Sequence, residues 1–338
     1  MGNANLNELW YDALMQITAK GKALNSRAGQ TKEILGFQAT LDDPLNNILL
    51  GYPARKFSLP YACAEVLWYL TFSGDIRPML EHYAPSYGKY CEDGIAYGGY
   101  GKRWKENPGF MLEDNNFFHP NGSNQIEMLI KLLREKPNTR QAILSMWDSG
   151  DLVHAYIGDH GDLPCTLSLK FYVRDNTDGN PELHCIADMR SNDAWLGLPY
   201  DVFCFTTLQR IIAEECGLKL GKYIHQAGSQ HIYERNYEKV EQVLQNYTAK
   251  YPTTLNYNHV SKNDALSWKI KLALEFEKSV RCDKELGGHE HLRLFSAQSS
   301  VFKDLVIGCG TKWMDTLTPE DFDNSLFAEW TKQFYERR

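Results

Sequence analysis

Two consecutive runs in residues 163–189 alternate with period two, and this pattern constrains the fold more than any other feature of the chain. In "LPCTLSLKFYVRDN" (163–176), Cys165, Leu167, Leu169, Phe171 and Val173 share one face, while Thr166, Ser168, Lys170, Tyr172 and Arg174 share the other. Asp178, Gly179 and Asn180 supply a turn, and Leu183, Cys185, Ala187 and Met189 repeat the alternation in "PELHCIADMRS". The expectation is a β-hairpin whose second strand ends in Arg190 and Ser191, with one apolar face that must be buried against another layer.

The covering layer is helical. Leu6, Leu9, Trp10, Ala13, Leu14 and Ile17 fall on one side of a helix predicted over 5–22. "YACAEVLWYLTF" (61–72) is apolar almost all round and predicts a buried helix in which Glu65 needs a reason to be present. A further helix is expected over 122–139, starting near Ser123 and stopping at Pro137. Another starts at Pro199 and runs to Cys216, with Gly217 ending it. "TRQAILSMWD" (139–148) and "KYIHQAGSQHIY" (222–233) read as strands, and the segment holding Asn25, Ser26, Arg27 and Gly29 as a loop. The last hundred residues mix helix and strand without a legible motif. The fold class is α+β, one domain over residues 1–338, with a mixed sheet backed by long helices.

Composition narrows the function classes. At 338 residues and 43% apolar the chain can bury a sizeable core, and 36 Lys and Arg against 43 Asp and Glu leave no basic footprint for nucleic acid. No stretch approaches the roughly 20 apolar residues of a membrane span, and the first twenty residues lack the basic start and apolar run of a leader. The eight cysteines (63, 91, 165, 185, 204, 216, 282 and 309) have no C-x-x-C spacing, which fits reduced thiols in a cytoplasm and no metal site. His289 and His291 are expected on a solvated loop without partners at ligand spacing. Gly94, Gly98, Gly99 and Gly101 precede Lys102, but the G-x-x-x-x-G-K-[ST] spacing fails and Arg103 stands in its last place.

Four pieces stand out together: Arg27 in its loop, Glu65 in a buried helix, Pro164-Cys165 at a strand start, and "MRSNDAWLGLPYD" (189–201). With "SRAG", "EVLWYL", "YGKRW", "TRQAILSMW", "LPC", "RSNDAWLGLPYD" and "GSQHIY" in this order, the chain resembles the thymidylate synthase family of pyrimidine-nucleotide C5 enzymes. The agreement covers roughly residues 10–236, and residues 237–338 are an unmatched C-terminal part. The resemblance implies the thymidylate synthase-like fold and a homodimer joined through a face of the sheet.

It also implies a chemistry. A pyrimidine is a poor nucleophile at C5, but a thiolate adding to C6 turns C5 into an enamine carbon. Cys165 would supply the thiolate, with Arg190 lowering its pKa, although most cysteines are buried hydrophobes. The 5′-phosphate of a pyrimidine nucleoside monophosphate would lie among Arg27, Arg190, Ser191 and Arg140, the last supplied by the second subunit; where the family has another arginine, this chain has Gln141. His231 and Tyr233 match the pair that reads the sugar hydroxyl. Methylenetetrahydrofolate is the implied carbon donor, with Asp193, Leu196 and Gly197 at matching positions. Glu65 would position water and relay protons, and Tyr100 would help remove the C5 proton.

The thymidylate-making members carry asparagine where this chain has Asp201. An ionised carboxylate only accepts, so it suits the amino edge and protonated N3 of cytosine and repels O4 of uracil, as in the cytidylate hydroxymethylases. The bland alternative is an aspartate capping the helix start. The stretch "YAPSYGKYCEDG" (83–94) lacks the tryptophan that shields the intermediate in methylating members, and "FYERR" offers no apolar tail, so water is expected to complete the reaction. The expected activity is C5 hydroxymethylation of dCMP or CMP. A C5-methyltransferase of dCMP or dUMP, and a nucleotide-binding module without activity, are the alternatives; a cysteine hydrolase lacks its Cys–His–Asn pattern.

Overall fold

The computed structural model describes residues 2–51, 54–106, 124–158, 162–246, 265–282, 300–313, 317–322 and 325–335. Among them, β1 (Lys22–Ser26), β2 (Gly29–Leu41), β3 (Ile143–Ser145), β4 (Thr166–Asp175), β5 (Pro181–Asp193) and β6 (Lys219–Tyr233) form one sheet, ordered β1-β2-β6-β5-β4-β3. Every neighbouring pair is antiparallel except β5 and β6, which run parallel. The sheet is therefore mixed, and the expected β4–β5 hairpin is present.

Local deviations matter for the site. A bulge between Thr166 and Ser168 shifts the register of β4 against β5, so Thr166 is fully buried and Leu167 is not. The alternation starting at Cys165 therefore loses its phase over its first two residues. β5 continues past Arg190 and Ser191 to Asp193. The strand expected over 139–148 shrinks to β3, and the expected loop at 25–29 is the turn of the β1–β2 hairpin, with Arg27 at its tip.

Three helices build the core. α1 (Leu6–Lys20) starts at Asn5, whose side chain accepts from the Glu8 N–H at 3.0 Å, and buries all six of the apolar residues expected to face inward. α2 (Leu59–Tyr69) begins after Ser58 with Pro60 in its first turn and is buried along its length except at Tyr61. After the short α3 (Leu80–Tyr83), α4 (Tyr100–Glu106), α5 (Gln125–Glu135) and α6 (Ser149–Ile157), α7 (Gly197–Cys216) links β5 to β6, ending at Gly217 with φ +67°. α1 and α7 pack on the sheet, and α2 packs on α7. The Trp10 Nε1 donates to the Ala194 carbonyl at 2.7 Å, tying α1 to the turn between β5 and α7.

The described C-terminal residues contain helices and no strand, α8 (Tyr237–Gln245), α9 (Leu266–Cys282), α10 (Ser300–Gly310) and α11 (Ser325–Tyr335), and the rest of the stretch expected to mix helix and strand lies outside the described residues. α10 packs against α2 and α9, and its buried Asp304 lies 3.6 Å from Arg210 of α7. Tyr83 donates to Glu277 of α9 at 2.8 Å. Ser123, His289, His291 and the last three residues lie outside the described residues.

Candidate active site

The end of α2, the start of α4, the residues before β4 and the start of α7 enclose a cavity of about 110 Å³. Glu65, Tyr100, Cys165 and Asp201 all line it, together with Trp68 and Tyr87. An indole and a phenol thus wall the cavity although the 83–94 stretch has no tryptophan. The glycines before Lys102 serve packing: a Cβ on Gly98 would come within 2.6 Å of the Asp162 carbonyl, so only glycine lets the loop ahead of Cys165 approach so closely.

Arg190 collars the thiol. Its Nε donates to the Pro164 carbonyl at 2.9 Å, its Nη2 to the Leu163 carbonyl at 3.0 Å, and the same Nη2 lies 3.7 Å from Cys165 Sγ. Burial nevertheless pushes the Cys165 thiol above its ordinary value, and nearby Asp201, Asp162 and Asp193 add to the push that Arg190 opposes. Arg190 lowers the thiol as expected, but burial outweighs it, so the net direction is upward and favours the thiol form.

Asp201 is the fifth residue of α7 and caps nothing. Its Oδ2 accepts from Asn192 Nδ2 at 2.7 Å. Burial, with Glu65 and Asp193 nearby, pushes it up to about 8, and the Asn192 hydrogen bond only partly offsets this. At neutral pH it therefore holds a proton, which corrects the acceptor-only reading. A neutral carboxyl offers one donor and one acceptor, which match the N3 acceptor and amino donor of cytosine; with roles exchanged they would also match uracil. What the proton adds is the means to protonate N3, without which a cytosine ring resists addition at C6.

Glu65 is pushed up to about 6 by burial, while hydrogen bonds from Tyr61, Tyr69 and Cys204 restrain it. Tyr61 donates to Oε1 at 2.9 Å and Cys204 Sγ lies 3.6 Å from Oε2, so its partners are side chains. Burial drives the Tyr100 phenol well above its ordinary value; its oxygen accepts from the Thr166 N–H at 3.3 Å and hydroxyl at 2.9 Å. A phenol held protonated acts as a donor, so any part in removing the C5 proton runs through a hydrogen-bonded partner.

The parallel β5–β6 pair sets further sequence-predicted residues side by side, although none of its residues lines the cavity. Ser191 stands opposite Ser229 and Asp193 opposite His231 in register. The His231 and Tyr233 rings meet edge to face at 5.1 Å, and Tyr233 bonds the side chain of Ser26, next to Arg27. Burial keeps His231 below its usual range, hence neutral, against the pull of Asp193. Asp193 Oδ1 accepts from the N–H groups of Trp195 and Leu196 at 2.8 and 3.3 Å. Arg140 is exposed ahead of β3 and is not among the residues lining the cavity. The residue the sequence reading missed is Asn192: it sits inside "RSNDAW", but its partners come from β6.

A family model described as thymidylate synthase matches residues 8–275, reaching into α9 and so beyond the motif agreement. The thymidylate synthase of Francisella philomiragia is 27% identical over 257 residues, 72% of this chain and 86% of the relative. That of Buchnera aphidicola is 27% identical over 239 residues, 68% and 81% of the two chains. Among solved structures, a thermostable thymidylate synthase A from Bacillus subtilis superposes with a TM-score of 0.60 at 22% identity, covering 76% of this chain and 90% of that one, which is a likeness of fold.

Proposed function

The chain belongs to the thymidylate synthase family, and from that premise we propose that it hydroxymethylates C5 of a cytidine monophosphate, dCMP or CMP, through a Cys165 adduct at C6. The observation that carries this reading is a buried carboxyl, Asp201, lining the same cavity as the thiol, with burial and the neighbouring Glu65 favouring its protonated form. In the proposed sequence the Cys165 thiol releases its proton to water, its Sγ bonds to C6, Asp201 gives its proton to N3, and the electron pair displaced from the C5–C6 bond makes C5 the nucleophile. Glu65, the more acidic of the two carboxyls, relays the C5 proton and orients water; Cys165 then leaves C6. Arg27, Arg190 and Ser191 take the phosphate, and His231 with Tyr233 the sugar. Tyr100 donates from the cavity wall.

Methylenetetrahydrofolate is the carbon donor that family membership implies, and when bound it supplies a unit at the oxidation level of formaldehyde. The residues fit it: Leu196 offers an exposed apolar side chain, Asp193 a carboxyl, and Gly197 a close passage where a Cβ would meet Asp201 Oδ2 at 3.1 Å. The whole chain would act as one domain, its C-terminal helices bracing the helix that carries Glu65. It would work as a homodimer, with Arg140 exposed to reach a partner's phosphate site and half-exposed Ile186 and Ile224 on the sheet face away from α7.

The relatives' names favour a second reading, C5 methylation. Incubating purified chain with dCMP, CMP or dUMP and the folate decides between them by product mass, about +30 Da for hydroxymethyl and about +14 Da for methyl, with dihydrofolate formed only in methylation. Hydroxymethylated cytosine is the expected product. Turnover of dUMP alone would overturn the base assignment, and no tritium release from C5-tritiated nucleotide would overturn the enzyme reading.

A further inference from the structure

Asn192, the one hydrogen-bond donor to Asp201 among the described residues, is itself held at its other end. Its Oδ1 accepts from Gln230 Nε2 at 2.9 Å and lies 3.2 Å from His225 Nε2; His225 Nδ1 lies 2.9 Å from the Tyr223 hydroxyl. Asn192 is 3% exposed, and Gln230 and His225 are wholly buried. With Oδ1 accepting, His225 carries its hydrogen on Nε2 and receives that of Tyr223 on Nδ1. The parallel pairing makes the cluster, because Asn192 stands opposite Gln230 in register.

Two donors converge on one amide oxygen among buried side chains. Turning the Asn192 amide over alone would set its NH₂ against both of them. To pair again, Gln230 would have to turn over with it, offering the Oε1 that is buried without a partner among the described residues, and His225 would have to move its hydrogen to Nδ1. In the arrangement the structure shows, the NH₂ is aimed at Asp201 Oδ2. An oxygen that accepts a hydrogen bond from a fixed amide is the carbonyl-like one, so the acid proton belongs on Oδ1.

The geometry points to Asn192 as a positioning residue for base choice: held by Gln230 and His225, it fixes which oxygen of Asp201 keeps the proton, and with Oδ1 set against the ring nitrogen and Oδ2 against position 4 this selects an amino edge beside an unprotonated ring nitrogen. This rests on the reading of Asp201 as the group that meets the base. Without the clamp the neutral carboxyl would turn either oxygen to the ring and accept uracil as readily. The groups facing Asp201 are Glu65 from α2, Tyr100 from α4, Cys165 ahead of β4, Asp193 from β5 and Tyr223 from β6, with Cys204 on its own helix. Glu65 and Asp193 push its titration up, and Asn192 pulls it down.

The test uses full-length Asn192→Leu and Gln230→Met. The first measurement needs no turnover: the Asp201 carboxyl is titrated by infrared difference against Asp201→Asn. Its midpoint should rise by about one pH unit in Asn192→Leu, the loss of one hydrogen bond to a charged group, and by less in Gln230→Met. The second is the ratio of kcat/KM for tritium release from C5-labelled dCMP over dUMP, which should fall about tenfold or more. A midpoint and a ratio both equal to wild type would overturn the assignment. If the wild-type chain releases no tritium from dCMP, the functional reading fails, and the titration alone decides the role of Asn192. If Asn192→Leu does not fold, Gln230→Met carries both measurements.

Discussion

Glu65 and Asp201 line one cavity, and the charge of the first helps to keep the proton on the second. Burial sets them at about 6 and about 8, so near pH 7 one is ionised and the other is not. Two carboxyls with separated titrations are what a site needs to run base and acid steps together.

Stability should report this. A carboxyl titrating at about 8 in the fold and near 3.9 in the unfolded chain holds its proton more tightly when folded. Its contribution is fully present below about pH 4 and is lost as pH rises through about 8. Urea unfolding at pH 5, 7 and 9 should find Asp201→Asn gaining about 2–5 kcal/mol on wild type across that range. Parallel curves would mean that Asp201 is ionised in the fold.

Cys165 should alkylate slowly at pH 7 and accelerate as pH climbs past the ordinary thiol range, since burial outweighs Arg190. Arg190→Ala removes the lowering influence, so its iodoacetamide profile should move to still higher pH. Cys165→Ser should cut C5 tritium release at least about 10³-fold.

Glu65→Gln keeps the size of the side chain and removes its basicity. Tritium release should fall about 10²–10⁴-fold in kcat while KM for the nucleotide changes little. An equal effect on KM alone would assign Glu65 to binding.

Away from the chemistry, Arg103 bridges Asp148 and Asp151 at 2.7 Å each, and the Asp151 side chain is wholly buried. Asp151→Ala should destabilise the fold by about 1–3 kcal/mol in urea, because it removes the charged hydrogen bonds of a buried guanidinium and leaves it Asp148 alone of the two carboxylates. Arg103 also abuts Tyr97, with its guanidinium 4.7 Å from the ring, so some loss should spread towards the cavity.

Cys165, Glu65, Tyr100 and Asp201 were legible in the sequence because each lies in a short local motif. So were α1, α2, α7 and the β4–β5 hairpin, whose apolar periods each bury one face. β1 was not, because its residues are almost all exposed and nothing alternates. Asn192 was not, because its meaning depends on Gln230 and His225, which reach it only once β6 lies parallel to β5. The protonation states of Cys165 and Asp201 were misread because opposing influences from several elements decide them, and a motif names only the nearest one.

Since β5 and β6 advance in the same direction, Ser191, Asn192 and Asp193 and their partners Ser229, Gln230 and His231 are graduated along a common scale. Deleting one residue within either strand would slide that scale by a notch, turning Asn192 outward and separating Asp193 from His231. Lengthening the turn at Asp178–Asn180 would leave every graduation where it stands, so tolerance to insertion in this molecule is decided by which end of a strand is altered.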